Sequence, residues 1–509
     1  MKPSTLLRLG LAGNRTDRLR TLLTAASAAL AAIALLAAAT VASITGGDWR
    51  NTGDGGLSEG SSQYSSSLLA EAGLRPGVIT ALLLLSLPVL ALAGQCIRLG
   101  APGRDRRLAA IRLAGASPRQ AVLIASAETA VASAFGSLLG FGIFLLLRAA
   151  LDRRDASGQL PLPTDILPSP LLIVLSLLVV PVLAALIGAL LLRRVIISPL
   201  GVVRPTRDRK PRPWPGVLIV LGIVLFTVPT QMDMTINETF LNVSLWGGVL
   251  LTMIGVVLGT GWVSSVVGRL LQRFGRRPAM LLAGRRLMAD PWNGSRTQAA
   301  LLAAAVAGAI AIGYRQLTIT EFASYDRINA LVGEGDSSAG TASEPGFYLG
   351  AIRLILIAVA IGMTVAAAGV LVALAESIVA RRRAYAALTA VGVPRRVLSE
   401  SVAWHTIAPL VPALLVAVAA GVTLSRSLGT EVRQSSGETV CRGTQAQCDQ
   451  DPSTYLEYVE KAEVVLAVPV PWGALALLLG FALVVTLLAV SAGLIVLRSS
   501  TDLEELRTG

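Results

Sequence analysis

The sequence predicts an all-α polytopic membrane protein with about ten transmembrane helices built around two repeated units. Three observations predict it. Hydrophobic residues fill 53% of the 509 positions against 15% charged, and they gather into runs long enough to cross a bilayer. Basic residues sort by loop, so the net charge of +13 reads as the positive-inside bias of insertion and not as a nucleic-acid surface. A short stretch with the same residue pattern occurs twice, about 277 residues apart, each time between two apolar runs.

Runs of about 18 or more apolar residues mark candidate spans near 21–44, 77–96, 120–147, 170–192, 214–230, 245–266, 298–314, 347–376, 399–425 and 470–497. A basic tail (Lys2, Arg8, Arg15, Arg18, Arg20) precedes span one, whose apolar run is longer than the core of a signal peptide, so it is expected to be retained. Basic residues also crowd loops 97–119, 193–212, 267–296 and 381–396. Loops 45–76, 149–169, 231–244, 315–346 and 426–469 are richer in Gly, Ser, Asp and Glu. This alternation places both termini in the cytoplasm, and the Ala/Arg-rich, Lys-poor usage suggests a GC-rich bacterial genome, so a bacterial cytoplasmic membrane is expected to hold the chain. The organisation is 1–76, a tail with the first span and an outer loop; 77–192, the first repeated unit; 193–346, a Pro/Arg-rich linker and middle spans; 347–497, the second unit; and 498–509, a cytoplasmic tail.

The repeated stretch reads Arg106 to Arg119 in the first unit and Arg383 to Arg396 in the second. Leu108 and Ile111 stand three apart on one face of a short amphipathic helix with arginines around it, and Tyr385 and Leu388 take their places in the second copy. Gly115 then supplies a left-handed stop, Ser117 an N-cap, Pro118 the first helical residue, and Gln120 completes a capping box. Gly392 matches Gly115, and Pro394 marks the new helix. Val393 cannot cap, so the second turn is expected to be less well fixed.

This pattern, a basic residue, a small helix and Leu-x-Gly-Ala-Ser-Pro after a span, then a helix carrying Glu128, resembles the permease domain of FtsX-like ABC transporters, the superfamily that includes the MacB, LolC and Bce-type permeases. The likeness covers about 77–192 and 347–497. It implies that each loop is a coupling element docking on a cytoplasmic ABC ATPase homodimer, that ATP-Mg is held by that partner, and that the complex exports a substrate or transmits mechanical work across the membrane. Relatives usually carry a large outer domain, which is missing from loops of at most about 45 residues here.

The chain offers little else chemically. Its lysines, Lys2, Lys210 and Lys461, lie outside any phosphate-binding Gly-rich loop, and its single histidine, His405, has no ligand cluster around it. No cofactor, metal or catalytic residue is therefore expected in this chain, and no nucleic-acid partner. Glu128 and His405 hold matching positions in the two units, either at a pseudo-twofold interface or near enough to the inner surface to meet water, headgroups or a neighbouring arginine. Cys441 and Cys448 lie together in an outer loop, spaced for a small disulfide ring, with two free thiols as the alternative. Beyond the bilayer, an extracytoplasmic protein or a lipophilic substrate are further candidate partners. A secondary transporter and a non-transporting scaffold or sensor remain as alternative functions; repeats that begin on the same side of the membrane favour neither an inverted-repeat carrier nor its broken helices.

Overall fold

A helix stands on every predicted span in the computed structural model, which describes residues 15–45, 50–51, 57–58, 63–70, 74–98, 115, 117–156, 158–196, 212–231, 238–332, 345–442 and 456–500. In chain order the elements are α1 (Arg15–Ala42), β1 (Arg50–Asn51), β2 (Leu57–Ser58), α2 (Ser67–Ala70), α3 (Arg75–Arg98), α4 (Pro118–Leu151), α5 (Pro170–Ile196), α6 (Pro215–Gln231) and α7 (Glu238–Phe274). There follow α8 (Pro278–Ala289), α9 (Pro291–Val332), α10 (Pro345–Ala380), α11 (Arg382–Ala390), α12 (Arg395–Arg426), β3 (Glu431–Cys441), β4 (Leu456–Ala467) and α13 (Trp472–Ser500). Among the described residues seven helices are long and apolar enough to cross a membrane: α1, α4, α7, α9, α10, α12 and α13. The predicted count of about ten is therefore not reached by length and composition. The apolar parts of α5 and α6, Pro170–Leu186 and Pro215–Pro229, are shorter.

Helix packing divides the chain into two similar bundles. In the first, α1 lies against α3, α4 and α5; in the second, α9 lies against α10, α12 and α13. From sequence, span seven (298–314) belongs to the connecting middle section. Its helix α9 instead plays for the second unit the part α1 plays for the first, and the α6–α7 hairpin with α8 is left as an insertion, α7 packing on α9 and α12 and α8 on α7 and α12. The bundles meet where α3 contacts α10.

Small residues permit the close crossings inside each bundle. A Cβ added at Gly136 would stand 2.2 Å from the Ala25 carbonyl oxygen, and one at Gly140 2.6 Å from that of Ala29, so α1 and α4 touch backbone to backbone. The matching crossing of α9 on α12 buries Ala413 and Ala417. It forms the main core with Leu301, Leu302, Ala305, Val306, Met363, Leu410 and Leu414, all nearly inaccessible.

The ends assigned to the outer side are more structured than their composition suggests. Residues 315–346 read as a loop because hydropathy falls after Gly313. The helix nevertheless continues to Val332, because Thr320, Ser324 and Ile328 keep a buried stripe at helical spacing. At 1.5 Å per residue the 42-residue α9 is roughly 63 Å long, about twice the hydrocarbon core. Its far end packs on β3 and β4, an antiparallel hairpin with a bulge at Ser436/Gly437. The class is thus mostly helical and not all-α. Alternation in 456–467 places Ala462, Val464 and Leu466 on the covered face, with Val465 and Glu463 outside.

The first bundle carries a different cap. Tyr64 lies buried among Val41, Ile44, Leu69 and Leu160 and donates its hydroxyl to Asp165 Oδ1 at 3.0 Å, while the Gln63 amide donates to the same carboxylate. Burial first, and the Asp165 bond second, push the phenol up to about 12. Arg75, itself buried, closes the knot by donating to the carbonyls of Leu69 (2.8 Å), Ile44 (3.1 Å) and Ala70 (3.0 Å).

Candidate functional site

Both glycines take the predicted left-handed backbone. Gly115 and Gly392 have φ of 97° and 94°, a region where an L side chain is strained, and with Gly158 they are the positive-φ glycines among the described residues. An added Cβ would meet nothing within 4 Å at either turn, so glycine is required by the backbone alone and not by a neighbour.

In the first turn Ser117 caps α4 as its sequence predicts. The Gln120 N–H donates to Ser117 Oγ at 3.3 Å, the Ser117 N–H donates to Gln120 Oε1 at 2.9 Å, and Pro118 takes the first helical position. Arg106, Leu108 and Ile111 lie outside the described residues.

The second turn corrects the expectation of a looser copy. The residue that stands where Ser117 stands is Pro394, not Val393, and Pro394 is the N-cap of α12, with φ −62° and ψ 139°. It offers no side-chain bond, but the preceding helix end is closed on both sides. The Val393 N–H donates to the Leu388 carbonyl at 3.0 Å and the Gly392 N–H to Thr389 at 3.0 Å, the paired bonds of a Schellman stop. Val393 and Leu388, which that motif brings together, pack on the same apolar cluster as Tyr385. Val393 therefore fastens the turn by burial instead of capping it.

The nine-residue α11 is too short to persist alone. Tyr385, 2% exposed, anchors it in a cluster of Leu374 and Ile378 from α10, Leu398 and Val402 from α12, and Val490 from α13. Arg286 of α8 adds a second hold: its Nη1 donates to Tyr385 Oη at 2.8 Å and its guanidinium lies 5.0 Å from the ring centre. Arg383 stands in the first turn of α11.

Behind Tyr385 lies a cavity of about 60 Å³ between α8, α9, α10, α11 and α12, with Arg286, Asp290, Arg381, Tyr385, His405 and Gln298 in its wall. Gln298 Nε2, buried, donates to the Thr406 carbonyl at 2.9 Å and ties α9 to α12. The charged groups that act on His405 are Arg286, Arg381 and Asp290, all from its own half of the chain. His405 thus faces neighbouring arginines at one end of the second bundle. Glu128 holds the matching place in α4, half-buried.

Arg286, Arg381 and Gln298 escape sequence reasoning. Arg381 and Arg286 belong to basic runs that insertion alone accounts for, and α8 lies in what reads as a loop, although Ala279, Ala283, Gly284 and Leu287 mark its buried face. Cys441, at the end of β3, is disulfide-bonded; Cys448 lies outside the described residues. Among the described residues no group of His, Cys, Asp and Glu has the arrangement of a metal site.

Comparison with known proteins matches two regions of the chain, residues 77–200 and 356–501, to the family described as FtsX-like permease C-terminal. Each match spans one turn and the helices on both sides of it. No curated protein and no solved structure matches.

Proposed function

The chain belongs to the FtsX-like permease family, whose match covers more than half of its length, and from that premise we propose that it is the membrane subunit of an ABC complex whose two glycine turns dock a separate ATPase homodimer. That it is a membrane protein of the ABC-permease type follows from the family and the apolar helices. The observation that carries the rest is the pair of positive-φ turns at Gly115 and Gly392, which hold the same position in the two matched regions. Two equivalent turns, both expected on the cytoplasmic side, would fit a partner with twofold symmetry. ATP-Mg belongs to that partner.

Work done at the second turn has a continuous path outward. Tyr385 fastens α11 to α10 and α12, Gln298 fastens α12 to the start of α9, and α9 runs unbroken to the β3–β4 hairpin. A shift of α11 on ATPase closure would move the hairpin, which supports mechanotransmission or export with the hairpin and α9 end as the outer working surface. A lipophilic substrate or an extracytoplasmic protein would meet it there. Nothing favours a secondary carrier.

Mass spectrometry of the complex purified from native membranes should identify an ABC ATPase at about two copies per permease, as a twofold partner requires. An intact permease that carries none would sink the assignment. The topology is checked separately, because both turns must be cytoplasmic. A single cysteine at Glu463 in the hairpin should react with an impermeant maleimide added to intact cells, and one at Arg396 should not; the reverse pattern rejects the orientation.

A further inference from the structure

We propose that the cavity beneath α11 binds the phosphate of an anionic phospholipid headgroup from the inner leaflet, a placement that rests on the orientation given under Proposed function. Two permanent cations, Arg286 and Arg381, share its wall with one carboxylate, Asp290. The Arg381 guanidinium makes no hydrogen bond or ion pair among the described residues, its bonds to Ile378, Ala384 and Tyr385 being those of its backbone. Arg286 spends one N–H on the neutral Tyr385 hydroxyl, and a guanidinium has five. That bond uses Tyr385 as an acceptor, so its own O–H is left to donate. The His405 imidazole, in a half-buried residue, has no hydrogen-bond partner among the described residues. Four donors of the kind that hold oxyanions thus converge on one space, and arginine forks match phosphate oxygens in particular.

Size and lining select the ligand. A water needs about 10–15 Å³ of such space, so about 60 Å³ admits a phosphate-sized group. The same wall carries Val370, Ala373, Leu374 and Val402, apolar surface that a free phosphate ion does not use and a lipid does. The position agrees: the wall draws on the last turns of α10 and the first turns of α9 and α12, at the depth of headgroups, where basic pockets between helices take anionic lipids. In the first unit the residue that matches His405 is Glu128, whose carboxylate would repel an anion.

The test uses the purified full-length permease in phosphatidylcholine nanodiscs, with phosphatidylglycerol and inorganic phosphate as separate probes and native mass spectrometry as the readout. One phosphatidylglycerol per chain should be retained in preference to phosphatidylcholine. Arg381→Gln should lower its retention about tenfold, the size of one lost charged contact of ~1.4 kcal/mol. Arg285→Gln, on the exposed side of α8, should not. His405→Glu, which installs the residue of the first unit, should expel the lipid while the protein melts as the wild type does. Equal retention of the two lipids, or unchanged phosphatidylglycerol retention in both Arg381→Gln and His405→Glu, overturns the site. Saturable protection by inorganic phosphate with no lipid retained overturns the lipid as its source.

Discussion

Replacing Gly115 and Gly392 together by valine should leave the permease in the membrane and remove its stimulation of a partner ATPase. The cost is local. Each glycine has a φ near 95°, where an L residue pays about 1–2 kcal/mol and a β-branched one is a genuine outlier. No neighbour would touch the new side chain, so the whole penalty falls on turn geometry and none on the packed spans. At about 1.4 kcal/mol per factor of ten, each turn loses roughly 5- to 30-fold in the population of its docking shape, and a twofold partner that needs both feels the product. Asparagine supplies the control, because it enters the left-handed region more readily than valine. Gly115→Asn, Gly392→Asn should therefore recover part of the stimulation, a graded order that simple misfolding does not give. The measurement is ATP hydrolysis by the reconstituted complex with permease content normalised by gel. Wild-type stimulation in the valine double variant would refute docking at the turns.

The sequence made those turns visible because their chemistry is local. A left-handed glycine, a cap and a first-turn proline are each specified within three or four residues; Gly115 has the left-handed backbone, Ser117 the cap and Pro118 the first helical position. In the second copy Pro394 stands where Ser117 stands, and the stop is held by packing of Val393 against the α11 cluster, a contact with α10, α12 and α13 that local spacing does not encode. What hydropathy cannot see is where a helix ends once it leaves the apolar layer. Past Gly313 the average polarity of α9 rises, but a narrow buried stripe at Thr320, Ser324 and Ile328 suffices when a hairpin covers it. The hairpin itself alternates in 456–467, yet its bulged partner strand, interrupted by Ser435-Ser436-Gly437, reads as linker. Partnerships across the chain were invisible in principle. That α9 pairs with the second bundle, and that Arg286 reaches Tyr385 from 99 positions away, are facts of packing that no periodicity encodes.

Tyr385→Ala should detach α11 from the bundle, the second large effect expected. The ring is 2% exposed and fills the space between α10, α12 and α13; truncating a buried aromatic costs about 3–5 kcal/mol. The same change leaves Arg286 without the acceptor 2.8 Å away and without the ring below its guanidinium. A helix of nine residues has little stability of its own to set against this loss. The amides of 382–390 should then exchange with solvent at the rate of an open loop, while those of α12 beyond Val402, held in the main core, stay protected. Coupling to the ATPase should fall with them, by more than about tenfold on a loss above ~1.4 kcal/mol. Tyr385→Phe separates the two holds. It keeps the ring in the cluster and under the arginine and gives up only the hydroxyl, worth about 1.5–3 kcal/mol when its partner is charged, less here because the half-buried guanidinium can turn to water. Its exchange should rise modestly and its stimulation drop a few-fold. Retained protection of 382–390 in the alanine variant would mean that α11 is held by Leu388 and Val393 alone. Retained stimulation, with protection lost, would mean that the ATPase itself orders the helix on docking, and Tyr385 would then have no part in the relay from α11 to α9.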